Sequence, residues 1–100
     1  MSKIKELIAS DKPLLVDFWA QWCGPCRTMD PIIKEVITEL GESVTLLKVN
    51  ADTDKALMME YGVRSIPTLI LFKGGTQLWR QSGIIPKNEM IKIIKDKIQE

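Results

Sequence analysis

Residues 14–26 read LLVDFWAQWCGPC, and the two halves of that stretch set different questions. The first half is a short apolar run, a better strand than helix at that length, interrupted by one acid, Asp17. The second half holds the only two cysteines of the chain, Cys23 and Cys26, on either side of Gly24 and Pro25. Such a pair is a structural staple, half of a metal site, or a redox couple. A structural zinc usually takes four ligands from cysteine, histidine or carboxylate, and the chain has no histidine. Two thiolates would then hold zinc only with carboxylate help or by bridging two chains, so no metal site is expected. A staple closing so short a loop removes little unfolded-chain entropy, and cytosolic reductants would keep opening it. The redox couple therefore stands first, with the other two readings beside it.

Working outward, Cys23 opens a helical pattern through Met29, Ile32, Ile33, Val36, Ile37 and Leu40, with Gly41 at the C-cap. Pro31 lies inside it, where the lost donor and the crowding of the Arg27 carbonyl predict a kink. Upstream, Ser2 can cap a first helix with Ile4, Leu7 and Ile8 at helical spacing, ended by Asp11, Lys12 and Pro13. Downstream, SVTLLKVNAD (43–52) predicts a second buried strand and TDKALMMEYG (53–62) a short helix closed by Gly62. IPTLILF (66–72) predicts a third strand, Lys73-Gly74-Gly75 a hairpin, and TQLWRQSG (76–83) the antiparallel partner. A last helix from Pro86 carries Met90, Ile91, Ile94 and Ile98 on one face. Met29, Met58, Met59 and Met90 sit at spacings that suit core filling. The order predicts an α/β domain spanning residues 1–100, with helices on both faces of a mixed sheet.

A length of 100 residues, 45% hydrophobic, suits one modest core. Fourteen basic and 13 acidic residues leave a net charge of +1, with no basic stripe to bind nucleic acid. No apolar run approaches the roughly 18 residues that span a bilayer. MSKIKELIAS carries charges where a signal peptide would be apolar, so a cytoplasmic protein that does not enter membranes is expected.

The spacing of the cysteines has a chemical meaning. Residues three apart on a helix share a face, so Cys23 and Cys26 can bond with little backbone rearrangement. The sulfur of Cys23 would lie at the helix N-terminus, where free amides and the positive end of the helix dipole favour the thiolate. That thiolate would attack a client disulfide, and Cys26 would resolve the mixed disulfide after losing its proton. Asp17, the one acid of its strand, is the candidate acceptor, because burial raises a carboxyl pKa toward the range useful for proton transfer. The plainer alternative leaves Asp17 partly exposed at a strand end.

LLVDFWAQWCGPC, the proline in the following helix, LLKVNAD, YGVRSIPTLILFKGG and the glycine of QSG together resemble the thioredoxin family, over nearly the whole chain from Leu14 onward. A bare C-x-x-C is a weak signal, but W-C-G-P-C with an upstream aspartate and a downstream I-P-T is specific. The resemblance implies the thioredoxin fold and protein dithiol–disulfide exchange. No bound cofactor is implied beyond the redox pair. The expected partners are client proteins with disulfides and a thioredoxin reductase, whose own FAD and NADPH supply the electrons. It implies a Lys48 that tunes Asp17, and a Gly24-Pro25 pair that sets redox poise as in the reducing members. It also implies a cis bond before Pro67, and a shallow client groove of Trp22, Ile66, Pro67, Gly83 and Ile84. Trp19 is expected to pack beneath the site, Arg27 to add a little thiolate stabilisation, and Trp79 to pack across strands. Most relatives begin with an extra strand, which this chain is too short to hold. Four strands are therefore expected, with residues 44–49 at an edge. The family expectation is a monomer. A redox-capable binding module and a reductant dedicated to one client are the alternatives.

Overall fold

Alternation along each strand sends odd and even residues to opposite faces of the sheet, and that parity positions the cysteine site. The computed structural model describes residues 3–99, so the Ser2 cap lies outside the described residues. The elements run α1 (Lys3–Ala9), β1 (Leu14–Trp19), α2 (Gly24–Leu40), β2 (Thr45–Asn50), α3 (Lys55–Glu60), β3 (Thr68–Lys73), β4 (Thr76–Ser82) and α4 (Lys87–Gln99). The sheet order is β2-β1-β3-β4, with β1 and β2 parallel and the other pairs antiparallel. This is the expected mixed four-stranded sheet, with the strand after α2 at an edge.

One face of the sheet carries Leu15, Leu69 and Leu71, which pack with Met29, Ile33, Val36 and Leu40 of α2 and Met90, Ile91 and Ile94 of α4. The other carries Leu14, Val16, Phe18, Ile70 and Phe72, which pack with Ile8 of α1 and Leu57 of α3. Because β1 and β3 are covered on both faces, their side chains are almost wholly buried. The expectation of a second buried strand is corrected for β2, where Val49 alone is buried. An edge strand has a neighbour on one side only, which leaves its side chains half-open. The placement of Met59 in the core is also corrected: it is 81% exposed. α3 has six residues and turns one narrow face inward through Leu57, so Met59 points away from the sheet. Leu7 is likewise exposed, while Ile8 anchors α1.

α2 runs through Pro31 to Leu40. Gly41 ends it with φ 58°, a conformation that L side chains rarely adopt, and its amide donates to the Ile37 carbonyl. At the β3–β4 hairpin the amides of Gly74 and Gly75 donate to the Ser10 and Ile8 carbonyls at 2.7 and 2.9 Å, satisfying acceptors at the end of α1. A register shift opposite Leu71 and Phe72 inserts one extra residue in β4. Such a bulge turns consecutive residues to one side, and both Leu78 and Trp79 pack on the α2–α4 face. Trp79 is thus a packing residue.

Candidate active site

Cys23 follows β1 by four residues and forms the N-cap of α2, with extended backbone (φ −88°, ψ 110°). The Cys26 amide donates to Cys23 Sγ at 3.2 Å, and Pro25 sits in the first turn, where its missing donor costs nothing. Cys23 and Cys26 are joined in a disulfide, their Cα atoms 5.3 Å apart. Ala20, Ala51 and the two cysteines form one buried cluster, against which Trp19, Met58 and Ile66 pack. Small neighbours let the sulfurs sit within the fold instead of standing on its surface.

The Ile66–Pro67 peptide is cis. The Ile66 carbonyl lies 3.8 Å from Cys23 Sγ. The bonded sulfur has no proton to donate, so this is a contact in the oxidised state. Gly83 joins the same corner through its amide, which donates to the Pro67 carbonyl at 2.9 Å, and Ile84 beside it is exposed. Trp22 is 67% exposed yet held, because its indole N–H is shared between the two carboxylate oxygens of Asp52 at 3.0 and 3.2 Å. A groove of about 560 Å3 runs from Trp22 past Met58 and Met59 to Ile66, with Lys55 and Arg64 also lining it. The structure therefore places Ile66 against Cys23, with Trp22 and Pro67 beside them in the chain, Gly83 bonded to Pro67, and Ile84 next to Gly83.

Cys26 opens on the other side. A cavity of about 220 Å3 is lined by Cys26, Asp17, Trp19, Ala20, Gln21, Arg27, Asp30 and Lys48. Asp17 shares the parity of Leu15, which turns it toward α2, and it is only 3% exposed. The alternative of a part-exposed strand-end acid does not hold. Burial pushes the Asp17 carboxyl up to about 6, against a smaller opposing pull from Lys48 and a push in the same direction from Asp30. No described residue hydrogen-bonds the Asp17 carboxyl.

Lys48 stands directly across from Asp17 in the β1–β2 register, but its ammonium is bound elsewhere. Lys48 Nζ is 2.8 Å from Asp30 Oδ1 and 4.8 Å from the centre of the Trp19 ring. Its effect on Asp17 acts through space. The Lys48 and Lys34 ammonium groups hold the Asp30 carboxyl below its usual range. Arg27 donates to the Gln21 carbonyl at 2.7 Å, which ties down the loop before Cys23. Among the described residues no three metal-ligating side chains cluster.

Asp30 and Asp52 are the site residues that reading the sequence missed. Asp30 had a signal, since it lies four residues after Cys26 and therefore one turn along the same helix face. Asp52 had none, because its partner Trp22 is 30 residues away.

The thioredoxin family profile matches residues 2–96. A thioredoxin of Rickettsia felis is 48% identical over 94 residues, covering 94% of this chain and 90% of the relative. A thioredoxin of Alicyclobacillus acidocaldarius is 42% identical over 98 residues, covering 98% and 93%. Among solved structures, the thioredoxin of Malassezia sympodialis superposes with a TM-score of 0.85 at 31% identity, covering 95% of this chain and 86% of that one. A malaria-parasite thioredoxin-2, described as a component of protein secretion machinery, superposes with a TM-score of 0.82 at 30% identity, covering 85% and 82%.

Proposed function

Because the chain belongs to the thioredoxin family and carries a bonded cysteine pair, its activity is protein dithiol–disulfide oxidoreduction, and we propose that Cys23 attacks and Cys26 resolves. In the reduced protein, the Cys23 thiolate attacks one sulfur of a client disulfide. A Cys23–client bond forms, and the other client sulfur leaves as a thiolate that takes up a proton. Cys26 then gives its proton to Asp17 and attacks Cys23 Sγ, which releases the second client thiolate. Two electrons have passed to the client; its first thiolate takes a proton from solvent, its second takes the proton that Asp17 holds, and the Cys23–Cys26 disulfide remains.

The observation that carries this assignment is the division of surroundings between the sulfurs. Cys23 Sγ receives an amide at the start of a 17-residue helix, which favours a thiolate there. Cys26 faces the cavity that it shares with Asp17. Acidic, basic and amide side chains line that cavity beside apolar ones, and it is large enough for water to relay a proton. A carboxyl titrating at about 6 is mostly ionised at pH 7, and it holds a proton far better than an ordinary aspartate does.

Gly24 and Pro25 set the redox poise by shaping the turn that carries both sulfurs. Trp22, Ile66, Pro67, Gly83 and Ile84 receive an extended client segment. Electrons return through a thioredoxin reductase that holds FAD and draws on NADPH, and the protein acts as a cytoplasmic monomer. No helix among the described residues is long and apolar enough to cross a membrane. Neither a pure scaffold role nor restriction to one client is favoured.

The test is trapping. With insulin as client, Cys26→Ser should accumulate a mixed disulfide stable on a non-reducing gel, while Cys23→Ser should form none. The reverse pattern would exchange the two roles.

A further inference from the structure

Asp17 and Lys48 face each other on adjacent strands, both turned toward α2. A carboxylate and an ammonium so placed ordinarily attract each other into a pair. Here the ammonium is drawn one layer outward, to Asp30 Oδ1 at 2.8 Å, and rests over Trp19. Asp30 is itself braced by Lys34, one turn further along α2, which meets its other oxygen at 3.2 Å. The charged groups around Asp17 are then Asp30 and Arg27 from α2 and Lys48 from β2. Its β3 neighbour is Leu69, and the buried residues of α4 are Met90, Ile91 and Ile94. Arg27 is committed to the Gln21 carbonyl, which leaves Lys48 as the cation whose position sets the field at Asp17.

We propose that Asp30 is a positioning residue of the exchange site: it clamps the Lys48 ammonium at its own carboxylate on the cavity wall, away from Asp17, so that Asp17 stays unpaired and available to accept the Cys26 proton. The inference rests on the role given to Asp17 above. Removing the clamp has a definite sign. With Asp30 neutral, Lys48 is released toward Asp17 and a neighbouring negative charge is lost, and both changes favour ionised Asp17.

The test is a 13C NMR titration of the Asp17 carboxyl in the oxidised protein, which needs no exchange activity. It compares the wild type, Asp30→Asn, Lys48→Met and the double variant. The midpoint should fall by about 1 pH unit in Asp30→Asn, as expected when a cation approaches a carboxylate. In the Lys48→Met background the same substitution should lower it by less than half as much. An equal fall in both backgrounds would show Asp30 acting only as a bare charge, and no fall in Asp30→Asn would show that Lys48 is not held back; either overturns the clamp. A separate stopped-flow measurement on Asp17→Asn distinguishes the underlying reading. Unchanged resolution of the mixed disulfide there would remove Asp17 as proton acceptor, while the titration would still decide the clamp.

Discussion

A carboxyl group buried as Asp17 is must influence stability as well as chemistry. Its pKa, pushed by burial up to about 6 from the ordinary 3.8 of an aspartate, means that the fold binds the Asp17 proton more tightly than the unfolded chain does. The favourable contribution of the protonated group is complete below about pH 4 and is lost as pH rises through 6. Above that, holding the ionised form in the fold costs roughly 3 kcal/mol. Asp17→Asn removes the cost. Urea denaturation should therefore find the variant more stable than the wild type by about 2–3 kcal/mol at pH 8, with the gain vanishing near pH 3.5. A gain of the same size at both pH values would mean that something other than ionisation is being relieved. The fold thus retains a destabilising group, which fits a residue kept for proton transfer.

Among the elements, β2 is the one whose surroundings differ most from its sequence pattern. The Thr45 amide donates to Pro13 and the Ala51 amide to Trp19. Parallel pairing repeats every second residue, so the amides of Leu47 and Val49 also point toward β1, and those of Leu46 and Lys48 point out from the sheet edge. Native-state hydrogen exchange should find Leu46 and Lys48 exchanging at least about 10²-fold faster than Leu47 and Val49. Equal protection would show that the edge is covered. α2 is the opposite case. Apart from Pro31 in its interior, its N-cap sulfur, first-turn proline and C-terminal glycine agree with its apolar stripe, so most local preferences point the same way as the tertiary packing. That consistency fixes the position of Cys26 relative to Asp30 within one rigid helix.

For the whole molecule, the sheet is a wall shared by two apolar clusters. Leu15 and Leu71 belong to one, and Val16, Ile70 and Phe72 to the other. Neither cluster survives without the strands that carry both. Ile33→Ala on the α2 side and Ile70→Ala on the opposite side should each cost about 2–5 kcal/mol. In both variants, unfolding followed by tryptophan fluorescence and by far-ultraviolet circular dichroism should superimpose as one transition. Separate transitions in either variant would show that the two layers unfold independently. The ion pairs from Lys87 to Glu35 and Glu39 also link α4 to α2, but they are exposed and contribute little beside the buried apolar residues.

What the sequence determined by itself was whatever depends on near neighbours along the chain. Short apolar runs, helical spacing, Gly41 after Leu40 and the Gly74-Gly75 hairpin are local signals, and the elements formed where those signals stood. The cysteine pair was legible for the same reason, since two residues three apart on one helix carry their own geometry. Asp17 was legible as the lone acid in an apolar run. Tertiary structure decided what depends on which faces meet. It gave the Lys48 ammonium to Asp30 although Asp17 stands opposite, and it fastened Trp22 to Asp52. It left Met59 on the surface although its spacing matched the core methionines, and it left β2 half-covered. In each case the competing arrangements were equally consistent with local sequence, and the choice fell to contacts between residues distant along the chain, which local periodicity does not encode.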